Sequence, residues 1–245
     1  MNKFSLTINS LIFIFSMVGT AQANIIFSDD TSKVQTGFYA GLNAGVAFDK
    51  IRLKAHHAGL INFDGRCNQS SHTTSLAQGI QAGYLHQYPD SLLTGFEIAT
   101  NFNSEKDKLT CKSPFTPGIS DRFSIKNQIE TSIKARLGQT MFWDEKVFLP
   151  YITVGASLAS TRLAYNNEIN NHYSKRVMEP GLSLGTGIEW ALMKKWTLRA
   201  EYTHNEYQDS TRLKIPRIYG LIDSRGNARY DRGSNKFILA VNYWM

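Results

Sequence analysis

Charged side chains recur at even intervals in FSIKNQIETSIKARLG (123–138), where Lys126, Glu130, Lys134 and Arg136 alternate with apolar residues. Even spacing is the period of a β-strand, so the four charges share one face, opposite Phe123, Ile125, Ile129, Ile133 and Leu137. The same pattern returns as Glu97 in LLTGFEIATNF (92–102), Glu189 in PGLSLGTGIEWAL (180–192), and Arg199 with Glu201 in WTLRAEYTH (196–204). Acids and bases on matching faces of neighbouring strands make ion pairs. Other reactive groups are sparse. His204 in YTHNEY (202–207) is followed two residues on by Glu206, so a base there has no hydroxyl nucleophile to activate. No Asp–His spacing of the proteolytic kind is visible. His56, His57 and His72 lack a fixed metal-ligand spacing, and Cys67 and Cys111 form no CxxC. These residues predict no catalytic, cofactor-binding or metal site.

A second candidate constellation is basic. YQDSTRLKIPRIYGLIDSRGNARYDRG (207–233) carries Arg212, Lys214, Arg217, Arg225, Arg229 and Arg232 against Asp209, Asp223 and Asp231. Guanidinium forks suit phosphate and sulfate. The alternative is a solvated loop.

The first residues fix the compartment. A positive start (MNK), an apolar run LIFIFSMVG (11–19) and small residues AQA (21–23) form a secretory signal peptide over 1–23, cut after Ala23. Of 27 basic residues the mature chain loses only Lys3, and it keeps all 20 acidic ones. No later segment has the ~20 apolar residues of a membrane helix, which leaves membrane crossing by strands open. In an oxidising compartment Cys67 and Cys111 are expected to be bridged, with two separate thiols as the alternative. The basic balance does not point to nucleic acid in such a place.

The elements that must hold these residues are strands. After a polar lead-in (24–35), eight segments alternate: 36–49, 75–87, 92–102, 123–138, 149–160, 180–192, 196–204 and 235–245. Short connections follow the second, fourth and sixth. Long ones (about 50–74, 103–121, 161–178 and 205–234) follow the others. An up-and-down barrel places all short turns at one rim and all long loops at the other, the asymmetry of outer-membrane barrels. One strand alone does not say which face is wet. Taken together, a soluble barrel would have to hold Phe38, Phe48, Phe96, Phe102, Phe123, Trp190, Trp196, Phe237 and Tyr243 inside eight strands, which enclose just enough room for side chains. Phe38, Tyr84, Trp190, Trp196 and Tyr243 fall near one rim and Phe48 and Phe102 near the other, as interfacial girdles do. The apolar rows therefore face lipid. The lumen then holds an ion-pair network of Glu97, Lys126, Glu130, Lys134, Arg136, Glu189, Arg199 and Glu201. A soluble calyx is the alternative.

GTGIEWALMKKWTLRAEYTH (185–204) resembles the penultimate hairpin of the opacity-like, OmpA-transmembrane-like family of small outer-membrane barrels. GFYAGLNAGVAF (37–48) is similar to their first strand. FILAVNYWM at the end resembles their assembly signal, which usually closes on Phe where Met245 stands, and implies recognition by the barrel-assembly machinery. The resemblance implies an all-β, eight-stranded antiparallel up-and-down transmembrane barrel over 36–245, in the outer membrane of a Gram-negative bacterium. It also implies a monomer that serves as a structural surface protein, adhesin or host-facing antigen. No peptidoglycan-binding domain follows the last strand, so no wall-tethering role is expected.

The expected function is envelope structure plus surface contact by the external loops. Outer-membrane lipid, lipopolysaccharide and a host glycan or protein are the expected partners, and no cofactor is expected. A narrow porin-like channel gated by the lumen ion pairs is the alternative, and a lipid-modifying enzyme a second one.

Overall fold

The computed structural model describes residues 36–58, 64–103, 107–112, 120–143, 146–166, 172–193, 195–208, 211–215 and 225–245. The signal peptide and lead-in expected over 1–35 lie outside them. The described strands are β1 (Gly37–Ala58), β2 (Asp64–Gln87), β3 (Leu92–Asn103), β4 (Asp107–Lys112), β5 (Ser120–Gln139) and β6 (Met141–Trp143). Then come β7 (Lys146–Asn166), β8 (His172–Met193), β9 (Trp196–Tyr207), β10 (Thr211–Ile215) and β11 (Arg225–Trp244).

All pairings are antiparallel. Eight of the strands run in the order β1-β2-β3-β5-β7-β8-β9-β11, and β11 returns to β1, which closes the sheet. β4, β6 and β10 are short additions hydrogen-bonded to β5, β7 and β11. The expected eight-stranded up-and-down barrel is the one observed. The turn expected at YPDS (88–91) is tight: Ser91 N donates to Tyr88 O at 3.1 Å, and Leu92 N donates to the Asp90 carboxylate at 3.3 Å.

Orientation follows from exposure. Leu42, Ile133, Val154, Leu182 and Leu239 are half or more exposed, at 69, 59, 57, 66 and 50 %. Glu130 and Arg199 are each 2 % exposed. The outside of this cylinder is apolar and its inside ionic, the inverse of a soluble protein. Aromatic rings collect at the short-turn rim. Phe38 and Tyr84 lie 4.9 Å apart, Tyr84 and Phe96 6.2 Å, and Trp196 and Tyr243 5.0 Å.

Much of what sequence patterning assigns to long loops is sheet. β1 and β2 stay paired up to Ala58 and Asp64, so the expected loop at about 50–74 shrinks to 59–63 between described strands. β7 runs to Asn166 and β8 starts at His172. A 22-residue strand such as β1 is about 70 Å long and, tilted ~40°, rises about 55 Å along the axis, twice the ~25 Å apolar band. The extensions therefore stand in water. There the outer face can be charged, as at Lys50 and Arg52 in DKIRLKAHHA (49–58), while Ile51 between them is buried, so the alternation persists with its sense reversed and does not read as a continuation of a lipid-facing strand.

Candidate functional site

The lumen is the most organised site. Its lower half begins with two matching devices. The register aligns Tyr39, Gly83 and Glu97 in one row across β1, β2 and β3. It aligns Tyr151, Gly187 and Glu201 likewise across β7, β8 and β9. Each tyrosine crosses the glycine beside it and donates its hydroxyl to the carboxylate two strands away, at 2.7 Å in both cases. A Cβ on Gly83 would stand 2.5 Å from the Tyr39 hydroxyl, and one on Gly187 2.4 Å from the Tyr151 hydroxyl. Glycine is therefore required at both positions for the rings to cross.

Around these rows the charges interlock. Arg199 donates to Glu97, and its second nitrogen reaches Gln81 Oε1 at 2.7 Å. Lys134 Nζ is 2.5 Å from Glu201 and 3.6 Å from Glu97. Arg136 pairs with Glu189 at 2.7 Å, donates to the Tyr39 hydroxyl at 3.0 Å and lies over the Tyr151 ring at 4.0 Å. Asn242 donates to Glu189 at 2.9 Å and accepts from Gln81 at 2.5 Å. Each of the eight barrel strands contributes at least one of these groups. Three carboxylates (Glu97, Glu189, Glu201) face three cations (Lys134, Arg136, Arg199), so this tier cancels its own charge. Beneath it, Tyr39, Leu85, Leu93, Leu149 and Trp244 form an apolar floor at the short-turn end.

Two smaller tiers lie above. Lys236 Nζ is 2.5 Å from Glu130, whose carboxylate also accepts from Asn205 at 2.9 Å. Higher still, Arg232 pairs with Asp49 at 2.9 Å and approaches Glu179 to 3.8 Å. Buried charges are tolerable in such a place because each has an opposite charge within 4 Å.

Seven of the eight expected lumen charges therefore point inward: Glu97, Glu130, Lys134, Arg136, Glu189, Arg199 and Glu201 are all buried. Lys126 does not. The register slips between Asn127 and Ile129, so an extra residue sits on β5 and the alternation reverses above it, towards the external end. Ile125, expected against lipid, is 2 % exposed, and Lys126 is turned to the outer wall. Arg232 is the second correction. It was expected among the external basic contacts, but β11 begins at Arg225, and strand parity with Ser234, Lys236 and Ile238 turns Arg232 into the lumen, where it is 4 % exposed.

Tyr39, Gln81, Tyr151, Lys236 and Asn242 were not singled out in the sequence, although each lies on the face opposite the apolar row of its own strand. Asp49, at the end of the first expected strand, and Glu179, at the edge of an expected loop, were not singled out, and Arg232 was placed in the last external loop.

Of the remaining basic candidates, Arg212 and Lys214 lie on β10 and Arg225 and Arg229 on β11; the backbone is described and the side chains are not. Arg217 lies outside the described residues. Arg212 pairs in register with Arg229, and β10 continues the sheet along β11 beyond the stretch that pairs with β9. Cys67 lies on β2 and Cys111 on β4, with side chains outside the described set; β4 packs against β2 as well as pairing with β5. His204 faces outward, with Nδ1 2.7 Å from Asn235 and Nε2 3.4 Å from Glu206.

A closed eight-stranded barrel with a lipid-facing exterior and an ion-paired lumen has relatives. Residues 11–243 match the model of the outer membrane protein beta-barrel domain. The chain belongs to that family. It is 27% identical over 180 residues to the 31 kDa outer-membrane immunogenic protein of Brucella melitensis, covering 70% of each chain. It is 23% identical over 252 residues to the outer membrane protein PagN of Salmonella typhimurium, covering 99% of this chain and 98% of the other. Among solved structures, OprG from Pseudomonas aeruginosa superposes with a TM-score of 0.50 at 11% identity, covering 88% of this chain and all of that one. The protein is an outer-membrane β-barrel of a Gram-negative envelope.

Proposed function

We propose that this protein is a structural surface protein, without enzymatic activity, that contacts a host surface or ligand through its external hairpins. The observation that carries the reading is the lumen: its charged groups are paired with one another, neutral side chains from the remaining strands join the same network, and an apolar floor lies beneath it. Groups so engaged hold a cylinder shut and are poorly placed to receive a substrate. What is left for recognition is the sheet that rises beyond the apolar band, with the basic residues Arg212, Lys214, Arg217, Arg225 and Arg229 in its last hairpin. Their chemistry suits the phosphate of lipopolysaccharide or the sulfate and carboxylate of a host glycan.

The test exchanges the external hairpins, one at a time, for short turns in a folded barrel and measures attachment of expressing cells to host cells and to immobilised sulfated glycan. Loss of attachment with one or more exchanges is expected. Unchanged attachment with every exchange would sink the reading. The competing channel reading is checked in planar bilayers, where refolded protein is expected to give no steady conductance. The lipid-modifying reading is checked by the mass of lipid A, which is expected to be the same with and without the protein.

A further inference from the structure

Lys126, Arg162 and Arg176 stand abreast on the outer wall. The register sets Lys126 opposite Arg162 between β5 and β7, and Arg162 opposite Arg176 between β7 and β8. All three are exposed. Like charges directly opposite one another on a sheet are destabilising. Among the described residues no carboxylate pairs with any of the three. Arg162 reaches the Ser174 hydroxyl at 3.3 Å, and Arg176 reaches the Gln128 amide oxygen at 3.3 Å. The bulge on β5 is what brings Lys126 into this row, and Gln128, the bulge's extra residue, is the one that braces Arg176. Bulges re-aim side chains in this way.

The height of the row is informative. Towards the membrane on the same outer faces come Ile129, Leu158 and Met178, which are 41, 46 and 57 % exposed. They belong to the apolar belt, so the three cations sit at its upper edge, where hydrocarbon gives way to headgroups on the side of the long hairpins. An external anion at that level is the phosphate of a lipid.

We propose that Lys126, Arg162 and Arg176 form a lateral binding site for a phosphorylated lipid of the outer leaflet. Its phosphate is held by the three cations, and its acyl chains lie against Ile129, Leu158 and Met178. Bound phosphate relieves the repulsion within the row, so the lipid and the strand register support each other. The site lies on the barrel wall and does not depend on what the external hairpins recognise.

The experiment is native mass spectrometry of the refolded, detergent-solubilised protein titrated with diphosphoryl lipid A and, separately, with the same lipid stripped of its phosphates. Wild type is expected to retain the diphosphoryl form in preference to the stripped one. Lys126→Glu places a carboxylate beside Arg162, which ends the Lys126–Arg162 repulsion and takes one cation from the site, and is expected to weaken diphosphoryl lipid A binding by roughly tenfold or more. Folding of the variant is confirmed by its heat-dependent migration on a detergent gel. A variant with Arg212→Ala and Lys214→Ala keeps the wall intact and is expected to bind as wild type does. Equal retention of the two lipids by wild type, unaltered binding by Lys126→Glu, or loss of binding in the hairpin variant would each overturn the proposal.

Discussion

The hydroxyl of Tyr39 meets the carboxylate of Glu97 at 2.7 Å although a whole strand separates them, because Gly83 between them has no side chain. Tyr151 and Glu201 repeat the arrangement over Gly187. In both rows the aromatic ring fills the wall space that glycine leaves and turns its polar end to a carboxylate. Glycine in a strand is ordinarily weakening; here it is the condition for a long cross-barrel hydrogen bond.

Substituting either glycine by alanine should therefore displace the ring that crosses it. Gly83→Ala and Gly187→Ala are each expected to cost about 1–3 kcal/mol, the usual range for overpacking. Urea titration of protein refolded in phospholipid vesicles reads the change. Adding Tyr39→Ala to Gly83→Ala should cost less than Tyr39→Ala costs in the parent barrel, because removing the ring also relieves the clash. Full additivity would show that the ring and the glycine are independent.

Arg199 is the central cation, in contact with Glu97 and within 3.8 Å of Glu201. Arg199→Leu strands negative charge in the lumen and is expected to destabilise the barrel by about 3–5 kcal/mol. Combining it with Glu97→Leu leaves Lys134 paired with Glu201 and Arg136 paired with Glu189. That double variant is expected to be more stable than Arg199→Leu alone in a chemical denaturation cycle. A double variant worse than the single would mean that the pair contributes through packing and not through charge.

The reversal at the β5 bulge can be read by chemistry. With Cys67 and Cys111 replaced by serine, Lys126→Cys should react quickly with a membrane-impermeant maleimide and Ile125→Cys slowly. Deleting Gln128 removes the extra residue and should exchange the two reactivities, since a one-residue slip moves every side chain beyond it to the other face. Unchanged reactivities after the deletion would contradict the assigned register.

Cys67 and Cys111 are carried by strands that pack together at the outer end of the barrel. A bridge between them is expected, and intact-mass analysis of unreduced protein should find it two hydrogens lighter than the reduced form. The bridge closes a loop of about 45 residues, so its removal is expected to cost up to about 4 kcal/mol in the chain-entropy treatment. Equal masses before and after reduction would show two thiols.

How much of this was legible depends on the surroundings of each residue. Within the apolar band the environment is two-sided, hydrocarbon without and charge within, so every second residue declares its face. Glu97, Glu130, Lys134, Arg136, Glu189, Arg199 and Glu201 could be placed on that ground alone. Above the band the outer face meets water, so Lys50 points outward while Ile51 is buried, and the rule that assigns apolar residues to the outside no longer holds. Asp49 and Glu179 were not singled out and Arg232 was expected outside, although the three form a buried cluster of their own.

The amino-acid sequence by itself determined the even count of strands, the closed barrel, the compartment and the outward turn of the apolar rows, because these follow from a period of two repeated eight times. Which charges meet was decided only by the closed sheet. Partners such as Tyr39 and Glu97, or Asp49 and Arg232, are 58 and 183 residues apart in the chain, and the stagger between strands selects them. The position of Lys126 was likewise decided in three dimensions, since one extra residue in a ladder reverses the face of everything beyond it without altering the composition that a reader of the sequence would see.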